Sequence, residues 1–490
     1  MNSSFTTFDW LVFASYFVIL LVTSVVLSRI KIETSRDFFV GSNAVSMLAV
    51  AISVVATSQS AATFLGAPEY SYKGDLTYLG FYFSSFLAVI FVSYVLIPRF
   101  YAIKAVTVYE LLNIRYGDNA SKYAGVMFLV GRLFASGARL YIGALAISMI
   151  IFSDITANHV AISIIILMLS ALAYTYFGGI KSVILSDSIQ AVTYVSAGFA
   201  VLYFLYNSLG LDLNGVIQEL SSKDKLKVFD FSFSGGFNVF SLLTGWLLLN
   251  IAAFGLDQDM TQRVLSCKNE KEAKQSLIYS IIFTIPVVVL FLAIGLLLYL
   301  FYQDAKLSQS FSGQSVTIFM YYILNEMPAG LKGFVTVGAI AAALSSTNSV
   351  LGAMSSVAIE DIYRPWKEKR VKTVEYHFVR AARIAILIFA FLLSLMAMLS
   401  FYWQQYSDLP LLNFALGVMA FSYSGLLGVY FSALFTKRGN ERTVLFALIA
   451  GFLTVLSLQP YIFGATLGFS WQIVLGTLVS FLIMMVGKND

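Results

Sequence analysis

The sequence predicts an all-α, polytopic membrane protein with about thirteen transmembrane helices, and three observations carry that reading. The 490-residue chain is 59% hydrophobic and only 12% charged, and its mean hydropathy is +0.82. No water-soluble globule needs that much apolar surface. Apolar runs of about 20 residues recur along the whole length, each long enough to cross a hydrocarbon core of about 30 Å as a helix. Basic residues collect in every second connection between those runs.

Taken in order, the runs lie near 9–29, 44–68, 77–101, 120–152, 159–177, 181–207, 237–258, 275–302, 328–358, 377–403, 410–435, 443–459 and 471–487. "MNSSFTTFDW" has neither a basic n-region nor a small-residue cleavage site, so the first run is expected to stay as a helix. The odd-numbered connections hold Arg29, Lys31 and Arg36, then Arg99, Lys104 and Arg115, and later Arg263 with three lysines and the basic 364–372 segment. The even-numbered ones hold few basic residues outside the Lys223, Lys225 and Lys227 group. By the positive-inside rule the N-terminus is outside and the C-terminus cytoplasmic. Two outside connections, 208–236 and 303–327, are longer and mostly polar, and "SVTIFMYYILNEM" at the end of the second reads as an interfacial amphipathic piece.

Several functions are excluded by what the chain lacks. The one cysteine, Cys267, allows no intrachain disulfide, and His159 and His377 give no metal-ligand spacing. No nucleophile–base pair or appended catalytic segment is visible, so no enzyme, cofactor or nucleic-acid partner is expected. The expected partners are membrane lipid and small solutes, with a monomer as the working unit.

Polar residues inside the apolar runs carry the functional signal. "AISVVATSQSAATFLGAPEYSYKG", from Ala51 to Gly74, has five polar side chains between Thr57 and Thr63, followed by Gly66 and Pro68. A lone Ser or Thr in a span is most often a packing residue. Five together, followed by a helix weakener and a helix breaker, predict that Thr57–Thr63 is unwound. Irregular backbone at membrane depth lines cavities, and its freed carbonyls can hold a cation. In "GAIAAALSSTNSVLGAMSS", Gly338 to Ser356, residues Ala342, Ser345, Ser346 and Ser349 share one helix face. Alone that face fits close helix packing, but its oxygens also suit a hard cation, which needs about five or six such ligands. Asp187, several residues into the sixth run, is an ionisable group placed at a cost of a few kcal/mol and therefore a functional candidate. Arg132 and Arg139 are seven residues apart on one face of the fourth run. Arg132 is the candidate for a substrate carboxylate; Arg139 reads more simply as snorkelling or paired with a neighbour.

These residues, in this order, resemble the sodium/solute symporter family. "YTYFGGIKS", Tyr174 to Ser182, is similar to the family signature around a Gly-Gly pair, with Ile180 where Leu, Met or Phe is usual. "GWLLLNIAAFGLDQDMTQR", Gly245 to Arg263, resembles the family's seventh span. The resemblance runs from about 9 to 487 and implies a five-plus-five inverted repeat like that of the amino-acid transporter LeuT. The units would be a leading helix and linker (1–43), a first repeat (44–207), an outside loop (208–236), a second repeat (237–435) and two closing helices (436–490).

The resemblance also implies roles. The main sodium site would use carbonyls of Ala56, Gln59 and Ala342 and hydroxyls of Ser345 and Ser346. A second sodium site, found in bacterial sialic acid members, would use Asp187, Ser345, Asn348 and Ser349, with Asn348 standing where those members have serine. Ser58, Ser60, Thr63 and Arg132 match contacts of such transporters with sialic acid, and Asn250 lies at a substrate position of the seventh span. Phe81 stands where the sialic acid members have glutamine, and Ala253 where a sugar-transporting branch has an aromatic gate. The expected function is sodium-coupled import of a small polar, carboxylate-bearing solute such as sialic acid across a bacterial plasma or inner membrane. The alternatives are a sugar or other organic-solute symporter of the same family, and a symporter-like sensor with a separate signalling partner. A channel would build its pore from several subunits or rings of like residues, whereas these polar residues gather at one place in one chain.

Overall fold

The computed structural model describes residues 5–27, 32–233, 236–302, 310–311, 314–315, 318–404, 411–464 and 467–488. Among them the chain is almost entirely helical, with one two-stranded ribbon, Ser310–Phe311 paired with Gln314–Ser315. The principal helices are α1 (Thr7–Leu27), α2 (Met47–Ser58), α3 (Ala61–Lys73), α4 (Leu79–Phe91), α5 (Asp118–Phe152), α6 (Ala157–Leu209) and α7 (Gly245–Gly255). They continue as α8 (Gln258–Val264), α9 (Glu270–Phe301), α10 (Leu331–Val357), α11 (Glu375–Gln404), α12 (Leu411–Phe435), α13 (Glu441–Ser457) and α14 (Phe469–Val486). Among the described residues, eight helices are long and apolar enough to cross a membrane, and up to ten if each of two bent pairs counts as one span.

The first bent pair answers the polar stretch in the sequence. Ser46 caps α2, its side chain accepting from the Ala49 amide, and the helix runs to Ser58. Gln59 then turns extended at φ −95, ψ 104, and the axis bends by 58°. Helix resumes at once, because Ser60 O accepts from the Thr63 and Phe64 amides at 2.9 and 3.0 Å. The break is therefore Gln59–Ser60, narrower than the expected Thr57–Thr63. Gly66 and Pro68 do not cause it; both lie inside α3. A proline removes one amide donor, and a helix buried among others tolerates that single loss.

The second bent pair replaces the predicted 237–258 run. Val239–Gly255 is followed, after Leu256 and Asp257, by α8 at 54°. The Asp257 side chain caps α8 through the Asp259 amide.

The predicted 159–177 and 181–207 runs are limbs of α6, divided at Gly179 (φ 57, ψ −155). A Cβ there would stand 2.5 Å from the Phe38 carbonyl oxygen. Both the left-handed backbone and the close approach require glycine, which explains that half of the Gly-Gly signature.

Helix α10 is central and α1 peripheral: 94% of the apolar window of the former is buried in protein, against 22% for the latter. Asp9 joins them. It is fully buried, and its Oδ1 accepts from the Gly330 and Gly333 amides at 2.8 and 2.7 Å. A carboxylate there satisfies amides that the start of α10 leaves open.

Candidate functional site

One cavity collects most of the residues singled out from the sequence. It encloses about 720 Å³ of empty space, open solvent included. The α2–α3 break gives it Ser58, Gln59, Ser60 and Thr63; α5 gives Arg132 and Arg139; α7 gives Leu249, Asn250, Ala253 and Phe254. Every expected substrate contact, Ser58, Ser60, Thr63, Arg132 and Asn250, is on this wall.

One face of α4 and the residue before it forms a third side. Tyr78, Phe81, Tyr82 and Ser85 follow i, i+3, i+4, i+7 spacing and all line the cavity. The Tyr78 and Tyr82 hydroxyls are 3.3 Å apart. Gln59 Nε2 lies 3.4 Å from the Tyr82 hydroxyl, and Ser85 Oγ donates to Asn250 Oδ1 at 2.9 Å. The α4 face thereby ties the first break to α7. Phe81 stacks on Tyr78 at 5.8 Å between centroids and meets Trp246 edge-on at 5.1 Å.

The two arginines of α5 differ. Arg132 Nη1 donates to Asp257 at 2.7 Å, and its Nη2 pairs with Asp259. Tyr423 also donates to Asp257. Arg139, two helical turns on, has Met419 Sδ at 3.0 Å from its Nη2. Among the described residues no carboxylate forms an ion pair with it. The sequence reading made Arg132 the candidate for a substrate carboxylate and Arg139 snorkelling or paired with a neighbour; here it is Arg132 that pairs with carboxylates of the same chain.

The residues expected at the cation sites lie on three helices, which meet at Asp187. Asp187 of α6 accepts from Ser53 of α2 at 2.5 Å and from Ser345 of α10 at 3.0 Å. Ala56 lies one turn beyond Ser53. Gly338, one turn before Ala342, lies against Phe64, one turn beyond Ser60. At the break the Thr63 amide bonds to Ser60 O, so Gln59 O lacks the amide that a continuous helix would give it. Ser346 Oγ donates to Ala343 O at 3.1 Å and Ser349 Oγ to Ser346 O at 3.0 Å. Both amide atoms of Asn348 are buried without a hydrogen-bond partner.

Asp187 also meets a fixed cation. Arg263 Nη2 pairs with it at 3.1 Å, and Arg263 Nη1 pairs with Asp259 at 2.9 Å. All these side chains are fully or almost fully buried. The chain of ion pairs Asp187–Arg263–Asp259–Arg132–Asp257 connects the Asp187 cluster to the cavity wall. Sequence reasoning missed Asp257, Asp259, Arg263 and Tyr423 as a unit. The signal was in "GLDQDMTQR": three ionisable residues within seven positions at the end of an apolar run.

A cavity between two broken helices, with hydroxyls and the unspent Gln59 carbonyl beside it, fits a solute carrier of the ion-coupled class. The family follows from comparison with known proteins. The family model described as "Sodium:solute symporter family" matches residues 38–451, and the chain belongs to that family. It is a transporter, not an enzyme. The chain is 26% identical over 485 residues to the sodium/sialic acid symporter SiaT of Proteus mirabilis, covering 96% of this chain and 92% of the relative. It is also 26% identical over 369 residues to sodium-coupled monocarboxylate transporter 2 of Bos taurus, covering 74% and 59%. The fold is similar to a solved structure described as the substrate-bound outward-open state of a Na+-coupled sialic acid symporter, with TM-score 0.83, 23% identity and coverage of 99% and 98%.

Proposed function

We propose that this sodium-coupled symporter imports a small carboxylate-bearing organic solute, with Arg139 holding the carboxylate. The observation that carries this is the contrast on α5. Arg132 has both terminal nitrogens committed to aspartates, while Arg139 lines the same cavity with only a thioether, a weak acceptor, at its Nη2. A guanidinium in that position is suited to a bidentate carboxylate. The relatives named above, for sialic acid and for monocarboxylates, take carboxylic acids.

Sodium would bind the carbonyls of Ala56, Gln59 and Ala342 and the hydroxyls of Ser345 and Ser346. A second ion at Asp187, Ser345, Asn348 and Ser349 would share Asp187 with Arg263, and the Asn348 amide is the part of that set with bonding capacity to spare. Because the one break gives Gln59 to the sodium site and Ser58, Ser60 and Thr63 to the substrate cavity, sodium orders the break that binds substrate, and by linkage each ligand tightens the other by the same factor. The proposed arrangement has thirteen spans, the N-terminus outside, the C-terminus cytoplasmic, and repeats over 44–207 and 237–435, each opening with a bent helix. It works as a monomer in a bacterial plasma membrane.

The test is a thermal-shift titration of the purified protein in sodium against carboxylic acids and their amides. Wild type should respond to an acid and not to its amide. Arg139→Gln should weaken the acid by about 1.5–3 kcal/mol, the range for a hydrogen bond to a charged group. An equal response to acid and amide overturns the assignment.

A further inference from the structure

We infer that the protein binds a small inorganic anion of the chloride type in a side pocket on α5, and that Arg139 holds it. The pocket lies between α5, α10 and α11. It encloses about 220 Å³ of empty space, open solvent included, against about 720 Å³ for the cavity described above. Helix α5 lines it with Ser136 and Arg139, one turn apart on one face, and α10 lines it with Ser346 and Thr347. Leu140, Val350 and Leu393 close the remaining sides with hydrocarbon. Among the described residues, Arg139 is the one side chain that lines both cavities.

The charge of this pocket is one-sided. It has a guanidinium and no carboxylate among its lining residues. Arg132, two turns away on the same helix, is matched by Asp257 and Asp259. Arg139 is partly buried, and among the described residues no carboxylate pairs with it. A cation withdrawn from water is costly unless a negative charge stands beside it. With no fixed anion in place, a mobile one can take that position.

The hydroxyls point to the same ligand. Ser136 is only 7% exposed, and its hydroxyl has no hydrogen-bond partner among the described residues. The Ser346 and Thr347 hydroxyls both donate to Ala343 O, at 3.1 and 2.9 Å. The donors left to a ligand are therefore the Arg139 N–H groups and the Ser136 O–H. A halide is spherical and accepts from any direction, so it can use two such donors and leave the aliphatic sides in contact. A guanidinium carries five donors, so an anion in this pocket and a ligand in the larger cavity can share Arg139. The inference needs Arg139 unpaired and does not depend on which solute is carried.

The experiment is a thermal-shift titration of the full chain with chloride at fixed sodium and ionic strength, isethionate making up the balance. The wild-type midpoint should rise and saturate. Ser136→Ala should raise the half-effect chloride concentration about tenfold, as for a lost hydrogen bond to a charged group, and leave the response to benzoate in place. Arg139→Gln should abolish the chloride response. Val350→Phe, which fills the pocket from α10, should abolish it too. The absence of a saturable response in wild type overturns the inference, as does a chloride response retained in Arg139→Gln. A benzoate half-effect concentration that climbs in proportion to chloride would place the anion in the larger cavity and also overturn it. If Ser136→Ala or Val350→Phe does not fold, the wild-type competition decides. None of these outcomes touches the comparison of acid with amide, which tests the carboxylate reading by itself.

Discussion

Two of the spans among the described residues bend at a break of one or two residues, by nearly the same angle, and they use the break in opposite ways. The α2–α3 bend of 58° falls at the neutral pair Gln59–Ser60 and leaves the Gln59 carbonyl oxygen unspent. The α7–α8 bend of 54° carries Asp257 and, two residues on, Asp259, and both are bound to arginines of the same chain. On the reading proposed above, one break offers neutral oxygen to a mobile cation. The other has its charge neutralised permanently by guanidinium groups that never leave. The lesson is that a broken span is not itself a binding site; what matters is whether the groups it frees have already found partners. Full carboxylates buried without a counterion are too costly to leave open, so they are matched by fixed cations. Carbonyl dipoles can wait for an ion at much lower cost.

The comparison breaks most easily at Arg132. Arg132→Leu leaves Asp257 and Asp259 short of a counterion in a dry interior and should cost about 3–5 kcal/mol, the range for a buried pair that loses one partner. The thermal midpoint in detergent should fall well below that of Arg139→Gln, whose native side chain balances no carboxylate. Equal midpoints for the two variants would mean that the second break is not a fixed charge network.

Asp187 lies where the two regimes meet, since it serves Arg263 and also faces the proposed sodium residues. Asp187→Asn keeps shape and removes charge. It should cost roughly 1.5–3 kcal/mol of stability, as for a lost charged hydrogen bond, and bring the sodium Hill coefficient of uptake towards one. A lower stability with an unchanged coefficient would make Asp187 a counterion of Arg263 alone.

The smallest effect is expected at the neutral break. Ser345→Ala removes one hydroxyl ligand with little change in volume. The sodium concentration for half-maximal uptake should rise about tenfold, equivalent to about 1.4 kcal/mol, and the midpoint in sodium-free buffer should fall by less than that of Asp187→Asn, because only the Ser345 hydrogen bond to Asp187 is lost. Unaltered sodium dependence would remove Ser345 from the ion site.

Local information determined a great deal. Apolar runs located helices along the chain, because a span must be long and apolar wherever it sits. Polar residues at Thr57–Thr63 marked the region of the first break, because such residues in a membrane span need a reason. Helix periodicity put Arg132 and Arg139 on one face, and both line the cavity. Tertiary structure decided the rest. The break narrowed to Gln59–Ser60 because Ser60 O could accept two amides and restart the helix immediately. The role of each arginine turned on Asp257 and Asp259, which are more than a hundred positions away in sequence and adjacent in space. Hydropathy and periodicity are properties of neighbours along the chain, whereas the pairing of buried charges is a property of neighbours across it. The sequence therefore determined which residues enter the membrane interior, and only the fold decided which of them arrive there with their charge already matched.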